Sequence, residues 1–185
     1  MIVLDNVILG IDPGTSIMGY GVIQIINSKP ILITLGILDL RKYSDHYLKI
    51  KKIFDRTLEL IKEYKPDELA IEAPFYGKNV QSMLKLGRAQ GAAISAALHC
   101  EIPIFEYAPR KIKLSITGQG EASKEQVAGV LKTILKIEDL PKFLDATDGL
   151  AAALCHYYQK TSLIPSGKSG NWNDFIKNNP ERISK

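Results

Sequence analysis

The order of the apolar segments constrains the fold of this chain more than any other feature of its sequence. Three short runs rich in β-branched residues come first, separated by turn-forming residues, and they predict strands over residues 7–11, 20–26 and 31–38. Because the separating turns are short, an antiparallel meander is the simplest arrangement of these strands.

Beyond the meander, helical and strand patterns alternate along the chain. The apolar spacing predicts helices at 47–61, 79–99, 109–116, 123–135 and 145–159, and short strands at 68–71 and 102–107. Such alternation is typical of parallel strands joined by helices. The sequence therefore predicts an α/β fold, with a mixed five-stranded sheet of three antiparallel strands followed by parallel strands, and helices on both faces.

Length and composition indicate an ordinary folded domain. Of the 185 residues, 45% are hydrophobic and 24% are charged. We expect one domain over residues 1–160 and a C-terminal tail over 161–185, rich in Ser, Gly, Lys, Asn and Pro and mobile in part. The longest uncharged run, between Asp12 and Lys29, is too short and too polar to span a bilayer. Because no basic leader precedes Asp5, we expect a cytoplasmic location.

Positive charge is distributed unevenly. The formal net charge of +4 is too small to indicate nucleic-acid binding by itself, but cations are concentrated between residues 76 and 113. On the predicted helix at 79–99, Lys85 and Arg88 continue a cationic stripe that begins at Lys78. The neighbouring apolar stripe contains Val80, Met83, Leu84, Gly87, Gly91, Ile94 and Leu98. This apolar stripe packs either on its own sheet or against a second subunit.

Two carboxylates stand at the ends of predicted strands. Asp12 ends the first strand before a Pro-Gly turn, and Glu72 follows the strand at 68–71, shortly before Pro74. Open α/β sheets bind their ligands beyond the carboxyl ends of their strands. A lone buried carboxylate is costly without a cation or hydrogen-bond donors, so the two acids together suggest a binding site.

Two further acids, Asp145 and Asp148, lie three residues apart at the start of the last predicted helix. Helix capping explains them in isolation, because Asp is favoured at an N-cap and in a first turn. The alternative is that they join Asp12 and Glu72. Four converging carboxylates repel one another unless divalent cations lie between them, and oxygen ligands select Mg²⁺ or Mn²⁺. A pair of such ions can activate water for phosphodiester hydrolysis.

Four stretches of the sequence resemble one family, the RuvC-type Holliday-junction resolvases, or crossover junction endodeoxyribonucleases. In chain order they are ILGIDPGTSIMGYGVI from Ile8, LAIEAPFYGKNVQSMLKLGRAQGAAISAA from Leu69, IPIFEYAPRKIKLSITGQGEASKEQV from Ile102 and DATDGLAAALCH from Asp145. They span most of residues 7–159. The chain departs from some members after Glu72, where Ala73 and Pro74 replace Gln-Val.

The resemblance implies a ribonuclease-H-like fold, a homodimer, and symmetric Mg²⁺-dependent nicking of two opposed strands of a four-way DNA junction in recombination and repair. Two ions per active site are expected, with Mn²⁺ able to substitute. A junction-migrating helicase complex of the RuvA and RuvB type is the implied partner. Carried over position by position, the catalytic and metal-binding carboxylates would be Asp12, Glu72, Asp145 and Asp148.

The resemblance also implies residues that touch DNA. Lys113 and Lys124 match basic positions near the scissile phosphate and the DNA, and Phe75 matches an aromatic residue that contacts unstacked bases. We add the cationic stripe of Lys78, Lys85 and Arg88 as expected DNA-binding residues. By residue type alone, the lysines would be solvated surface charges and Phe75 a core residue.

Two other functions remain open at this point. The run from Gly10 to Thr15 also resembles the first phosphate loop of actin-like ATPases and sugar kinases, which normally need two related domains where this chain has one set of motifs. The other possibility is a catalytically inactive DNA-binding scaffold with the same fold. The intact set of four carboxylates argues against it, because a module that binds a polyanion gains nothing from negative charge at its site.

Overall fold

The computed structural model describes residues 6–74, 79–139 and 143–162. Within these ranges the strands are β1 (Asn6–Asp12), β2 (Ile17–Ile26), β3 (Lys29–Asp39), β4 (Glu68–Glu72) and β5 (Ile104–Tyr107). The helices are α1 (His46–Tyr64), α2 (Val80–His99), α3 (Pro109–Thr117), α4 (Lys124–Leu135) and α5 (Asp145–Ser162). Their ends lie within three residues of the predicted ones.

The strands form one mixed sheet in the order β3-β2-β1-β4-β5. The pairs β1–β2 and β2–β3 are antiparallel, whereas β1–β4 and β4–β5 are parallel. This arrangement confirms the predicted fold. The strand β2 begins three residues before the predicted start because Ile17 already pairs with Asp39 on β3, a contact that local sequence does not reveal.

Side chains that alternate along the strands build an apolar cluster on each face of the sheet. Ile8 and Ile23 belong to the cluster under α3, α4 and α5. Leu9 and Ile11 point the other way and join the cluster under α1 and α2. This period of two is the geometry of a pleated strand that is buried on both faces. The helices therefore cover both faces, as predicted.

Glycines let α5 approach the sheet very closely. A Cβ atom at Gly10 would lie 2.1 Å from the carbonyl oxygen of Gly149, and one at Gly19 would lie 1.8 Å from the carbonyl oxygen of Asp145. Gly21 likewise faces the backbone of α5. No side chain fits in these gaps, so the glycines set the distance between β1, β2 and the first turns of α5.

A buried polar network joins the second half of α5 to β4 and β5. His156 is 2% exposed, and its Nδ1 lies 2.6 Å from the hydroxyl of Tyr107 while its Nε2 lies 3.0 Å from Oε2 of Glu68. Glu68 also accepts hydrogen bonds from Lys160 at 2.7 Å and from Asn6 at 2.8 Å. The carboxylate therefore has three donors, which offsets the cost of its burial.

The residues that α2 buries are not those of the apolar stripe defined above, for which packing on the sheet was one of two predicted arrangements. The helix buries Ala89, Gln90, Ala92, Ala93, Ala96 and Ala97. Val80, Leu84 and Leu98 of the apolar stripe are 63%, 52% and 61% exposed, and a Cβ atom at Gly87 would meet nothing within 4 Å. The expectation that this stripe packs on its own sheet is therefore wrong for these residues. Alanine allows a closer approach, so the helix turns its small side chains inward.

The C-terminal end of the fold lies slightly beyond the predicted boundary. The helix α5 continues to Ser162, two residues past the predicted end of the domain at 160. Residues 163–185, the remainder of the predicted tail, lie outside the described residues. No helix in the described ranges combines the length and the apolarity needed to cross a membrane.

Candidate functional site

The first two carboxylates lie at one edge of the sheet. Asp12 is the last residue of β1, and Glu72 is the last residue of β4. Because these strands are parallel neighbours, with Ile11 opposite Ile71, their carboxyl ends meet. Both acids line one cavity of about 580 Å³.

The other two carboxylates reach the same edge from α5. Asp145 and Asp148 lie in its first turn, and Asp148 lines the cavity beside Asp12 and Glu72. The backbone of Asp145 packs directly over Gly19, which is the residue paired with Asp12 in the sheet. The close approach of α5 to these glycines therefore brings the acids of the helix to those of the strands.

Lys124 connects the two acids of α5. Its Nζ atom lies 2.5 Å from Oδ2 of Asp148 and 3.1 Å from Oδ1 of Asp145. It is the first residue of α4, and a capping box fixes that helix end, with Ser123 and Gln126 each bonding the backbone amide of the other. One ammonium ion therefore lies between two carboxylates, in a place that suits a cation.

The acids at the edge of the sheet resist ionisation. Burial, reinforced by the charge of Asp148, raises the pKa of Asp12 to about 7. Burial, reinforced by the charge of Asp12, raises the pKa of Glu72 to about 8. Burial also raises the pKa of Asp148, against the opposing effect of Lys124. The pocket therefore holds more carboxyl groups than its own cations can keep fully ionised near neutral pH.

Lys124 itself is held firmly in its charged form. Burial opposes that form, but the bond to Asp148 and the charges of both acids of α5 raise the pKa of Lys124 above its usual value. Lys113 also lines the cavity, and its charge favours ionisation of Glu72 and Asp148. Two of the expected DNA-binding lysines thus lie at the carboxylate pocket.

The pocket has the donor chemistry of a divalent cation site. Its ligands are carboxylate oxygens, which suit Mg²⁺ and Mn²⁺, and the ammonium group of Lys124 stands in for a cation between Asp145 and Asp148. In the described part of the chain, no three Asp, Glu, His or Cys side chains are oriented toward one common ion position. The residues fit a divalent cation by the chemistry of their carboxylate oxygens.

The remaining expected DNA-binding residues lie elsewhere or outside the described ranges. Lys85 and Arg88 are exposed on α2, and neither lines the carboxylate cavity as far as the described residues define it. Phe75 and Lys78 fall in 75–78, which lies outside the described residues.

Two features of the site were not assigned from the sequence. Arg110, near the start of α3, and Glu121, in the loop before α4, both line the cavity and form an ion pair at 3.5 Å. Gln90 is buried on α2 and donates to the Glu106 carboxylate at 2.7 Å and to the backbone carbonyl oxygen of Glu72 at 3.4 Å. A polar residue in an alanine-rich helix face was the available signal for Gln90. For Arg110 the sequence offered no signal beyond its place among the cations between residues 76 and 113.

Comparison with known proteins identifies one family. The family model described as crossover junction endodeoxyribonuclease RuvC matches residues 8–156. A crossover junction endodeoxyribonuclease RuvC from Bacteroides fragilis is 60% identical over 184 residues, covering 98% of this chain and 97% of that protein. The corresponding protein of Cytophaga hutchinsonii is 58% identical over 180 residues, covering 97% of this chain and 89% of that protein.

A solved structure agrees with the sequence comparisons. RuvC of T. thermophilus, determined in complex with a Holliday junction substrate, superposes with a TM-score of 0.77 at 30% identity. The superposition covers 85% of this chain and 96% of that one. The family match spans both strand-end acids and both acids of α5, so it includes every carboxylate of the candidate site.

Proposed function

The chain belongs to the RuvC family of crossover junction endodeoxyribonucleases, and on this premise we propose that it resolves four-way DNA junctions with the carboxylate pocket as its active site. The observation that carries this proposal is the convergence of Asp12, Glu72 and Asp148 on one cavity that also contains Lys113 and Lys124. Acids that bind hard cations, next to lysines that attract phosphate, suit metal-dependent hydrolysis of a phosphodiester.

The family match also decides between the functions left open by the sequence. It covers residues 8–156 with a nuclease model, and the fold has one sheet where actin-like kinases need two related domains. An inactive scaffold has no use for a pocket in which burial and mutual repulsion raise the pKa of Asp12 to about 7. Such a pocket lowers the stability of the free protein, and a role in cation binding would explain why the acids lie together.

The cations of this proposal are Mg²⁺, or Mn²⁺ in its place, with two bound per site. Asp12, Glu72, Asp145 and Asp148 would hold them, because these residues supply oxygen ligands from three separate segments of the chain. When bound, the ions supply positive charge that activates water and stabilises the charge developing on the phosphate.

The residues of the chain prepare this chemistry. Burial raises the pKa of Asp12 to about 7 and that of Glu72 to about 8, so both acids are partly protonated near neutral pH, and both would have to be ionised to hold a cation. Lys124 leaves Asp145 and Asp148 and turns to a phosphate oxygen. Lys113, on the α3 side of the cavity, supplies a second positive charge for the DNA backbone.

The proposed DNA surface extends beyond the pocket. Lys85 and Arg88 are exposed on α2 and are suited to phosphates of the junction arms. Phe75 and Lys78 complete the proposed set as residues that contact unstacked bases and backbone at the crossover. Because phosphates dominate such an interface, the shape of the junction provides most of its selectivity.

The proposed assembly is a homodimer that cuts two opposed strands symmetrically. Its support in this chain is the exposed apolar stripe of α2, including Val80, Leu84 and Leu98. Family membership suggests a junction-migrating complex of the RuvA and RuvB type as the partner, and a cytoplasmic location beside the chromosome. One domain that ends with α5 at Ser162, followed by a separate tail, is also part of this proposal.

Cleavage of a synthetic junction tests the proposed function. The purified chain should introduce paired nicks at symmetry-related positions of a four-way junction in Mg²⁺ or Mn²⁺, and none in excess chelator. A linear duplex that carries the same arm sequences is the matched substrate control and should remain intact. Absence of nicking in both cations, or equal cutting of the duplex, would contradict the proposal.

A further inference from the structure

The carboxylate cavity is also lined by a second group of charges. Beyond Lys113 and Lys124, its wall includes Arg110 near the start of α3 and Glu121 in the loop before α4. These residues line the same cavity as the strand-end acids Asp12 and Glu72.

Arg110 has an unused capacity for hydrogen bonding. Its side chain is 80% exposed, and its Nε atom lies 3.5 Å from Oε1 of Glu121, which is 86% exposed. That separation exceeds the normal N–H···O range, and an exposed ion pair of this kind contributes little to stability. The pair therefore does not explain why the guanidinium group is held beside the cavity.

The side chain of Arg110 packs against Gly120. A Cβ atom at Gly120 would come 2.7 Å from Cγ and 2.9 Å from Nε of Arg110, so the arginine stem rests directly on the glycine backbone. The loop is anchored at both ends, because Gly118 ends α3 in the left-handed conformation at a φ of 74° and Ser123 caps α4. A side chain at this position would displace the arginine stem, so Gly120 permits the position that the guanidinium group adopts beside the cavity.

We propose that Arg110 binds a backbone phosphate of the DNA strand next to the scissile phosphate, and that Gly120 is the positioning residue for Arg110. This inference rests on the proposed function. A guanidinium group presents a planar fork of donors that matches two phosphate oxygens, whereas a lysine offers only a point charge. The weak ion pair with Glu121 is then exchanged for a charge-assisted bond to the DNA backbone.

Junction binding as a function of salt tests this inference. Binding is measured by fluorescence anisotropy with the full chain in chelator, where no cleavage occurs. For Arg110→Gln we expect the Kd for the junction to rise about tenfold. The slope of log Kd against log salt concentration should decrease by the amount of about one phosphate contact. Arg110→Lys keeps the charge but loses the fork, so it should keep the salt dependence and recover only part of the affinity.

Three comparisons make the assignment specific. Lys111→Gln is the matched control for lost charge, because Lys111 is the adjacent exposed cation and lies over the Tyr107 ring at 5.3 Å. We expect it to weaken binding less than twofold. Gly120→Ala should weaken binding as Arg110→Gln does, and should add nothing when Arg110 is already glutamine. Thermal unfolding of each variant checks that the fold is retained.

The outcomes separate this inference from the proposed function. Wild-type affinity and salt dependence in Arg110→Gln would overturn the inference, as would an equal loss in Lys111→Gln. An additive loss in the double variant would overturn the role of Gly120. If the wild-type chain fails to bind or nick the junction, the proposed function fails first. Normal nicking by the wild type with an unchanged Arg110→Gln refutes only the role of Arg110.

Discussion

The Nζ atom of Lys124 lies 2.5 Å from Oδ2 of Asp148, the shortest ion pair among the described residues. The lysine belongs to α4 and the aspartate to α5, and the same ammonium group also lies 3.1 Å from Asp145. The two helices therefore meet through a positive charge set between two acids. The free protein uses its own side chain where the proposed active form uses a metal ion.

This arrangement predicts that Lys124 and divalent cations replace each other. In Lys124→Gln the acids of α5 lose their ammonium partner, so the free energy of unfolding in chelator should fall by about 1 kcal/mol. Added Mg²⁺ should then raise the melting temperature more in the variant than in the wild type, because the ion restores the missing charge. Differential scanning fluorimetry with and without Mg²⁺ measures both effects.

Lys132→Gln is the matched control for this experiment. Lys132 is exposed in the last turn of the same helix, α4, away from the pocket. Its variant should respond to Mg²⁺ as the wild type does. An equal Mg²⁺ response in Lys124→Gln and the wild type would show that the lysine and the ion do not share a position.

The close contact between Gly19 and Asp145 predicts a large effect of one methyl group. Gly19→Ala places a Cβ atom 1.8 Å from a backbone oxygen that has little freedom to move. We expect a loss of about 2 kcal/mol or more in the free energy of unfolding, measured in urea, and a loss of junction cleavage because α5 is displaced. Gly129→Ala on α4, where nothing lies within 4 Å, should instead gain up to about 1 kcal/mol. Similar stability of the two variants would contradict this account of α5.

The hydrogen bonds of the Glu68 carboxylate predict that the free energy of unfolding decreases in acid. Its hydrogen bond to His156, with those to Lys160 and Asn6, lowers the pKa of Glu68 from 4.5 to about 2. A lowered folded-state pKa stabilises the protein above about pH 4.5, and this contribution is lost as the pH falls toward 2. Glu68→Gln should therefore cost about 1 to 2 kcal/mol in urea unfolding at pH 6, a figure reduced for solvent screening of the partly exposed carboxylate, and much less near pH 2.5.

An exposed glutamate serves as the control for the acid measurement. Glu138 is exposed, and Glu138→Gln should follow the wild type at both pH values. If Glu68→Gln were equally destabilising at pH 6 and pH 2.5, the effect would come from packing rather than from ionisation of the carboxylate.

The exposed stripe of α2 predicts the surface used for dimerisation. Leu84 is 52% exposed there, and Leu84→Glu places a charge within the proposed interface. Light scattering should show a dimer for the wild type and a monomer for this variant, with the melting temperature little changed. Leu114→Glu is the control, because Leu114 is 54% exposed on α3 instead. A dimer that survives Leu84→Glu would place the interface elsewhere.

Much of the fold was predictable because its signals are local. Apolar runs and turn residues located each strand and helix of the described residues, and they placed Asp12 and Glu72 at strand ends, whereas the pairing of β1 with β4 came from the structure. Local sequence patterns do not show how closely the helices and strands pack against one another. The role of Gly19 depends on α5, 126 residues later in the chain, where Asp145 packs over it.

The polar contacts of the site were also beyond local prediction. Nothing in the spacing of Lys124 shows that it lies between Asp145 and Asp148, since that contact requires α4 and α5 to pack side by side. The position of Arg110 could not be predicted locally either, because its side chain packs against Gly120, ten residues later in the chain. The family resemblance named the four carboxylates, and their roles as ligands and catalysts remain predictions.

The most direct test of the central claim compares Asp12→Asn with the wild type on one four-way junction. The account predicts that the variant binds the junction with an affinity within about threefold of the wild type, because Asp12 supplies no positive charge. Its cleavage rate in Mg²⁺ should fall on the order of 10³-fold or more, whereas Asp139→Asn, an exposed control, should cleave normally. Cleavage by Asp12→Asn at the wild-type rate would contradict the claim that this carboxylate pocket is the active site.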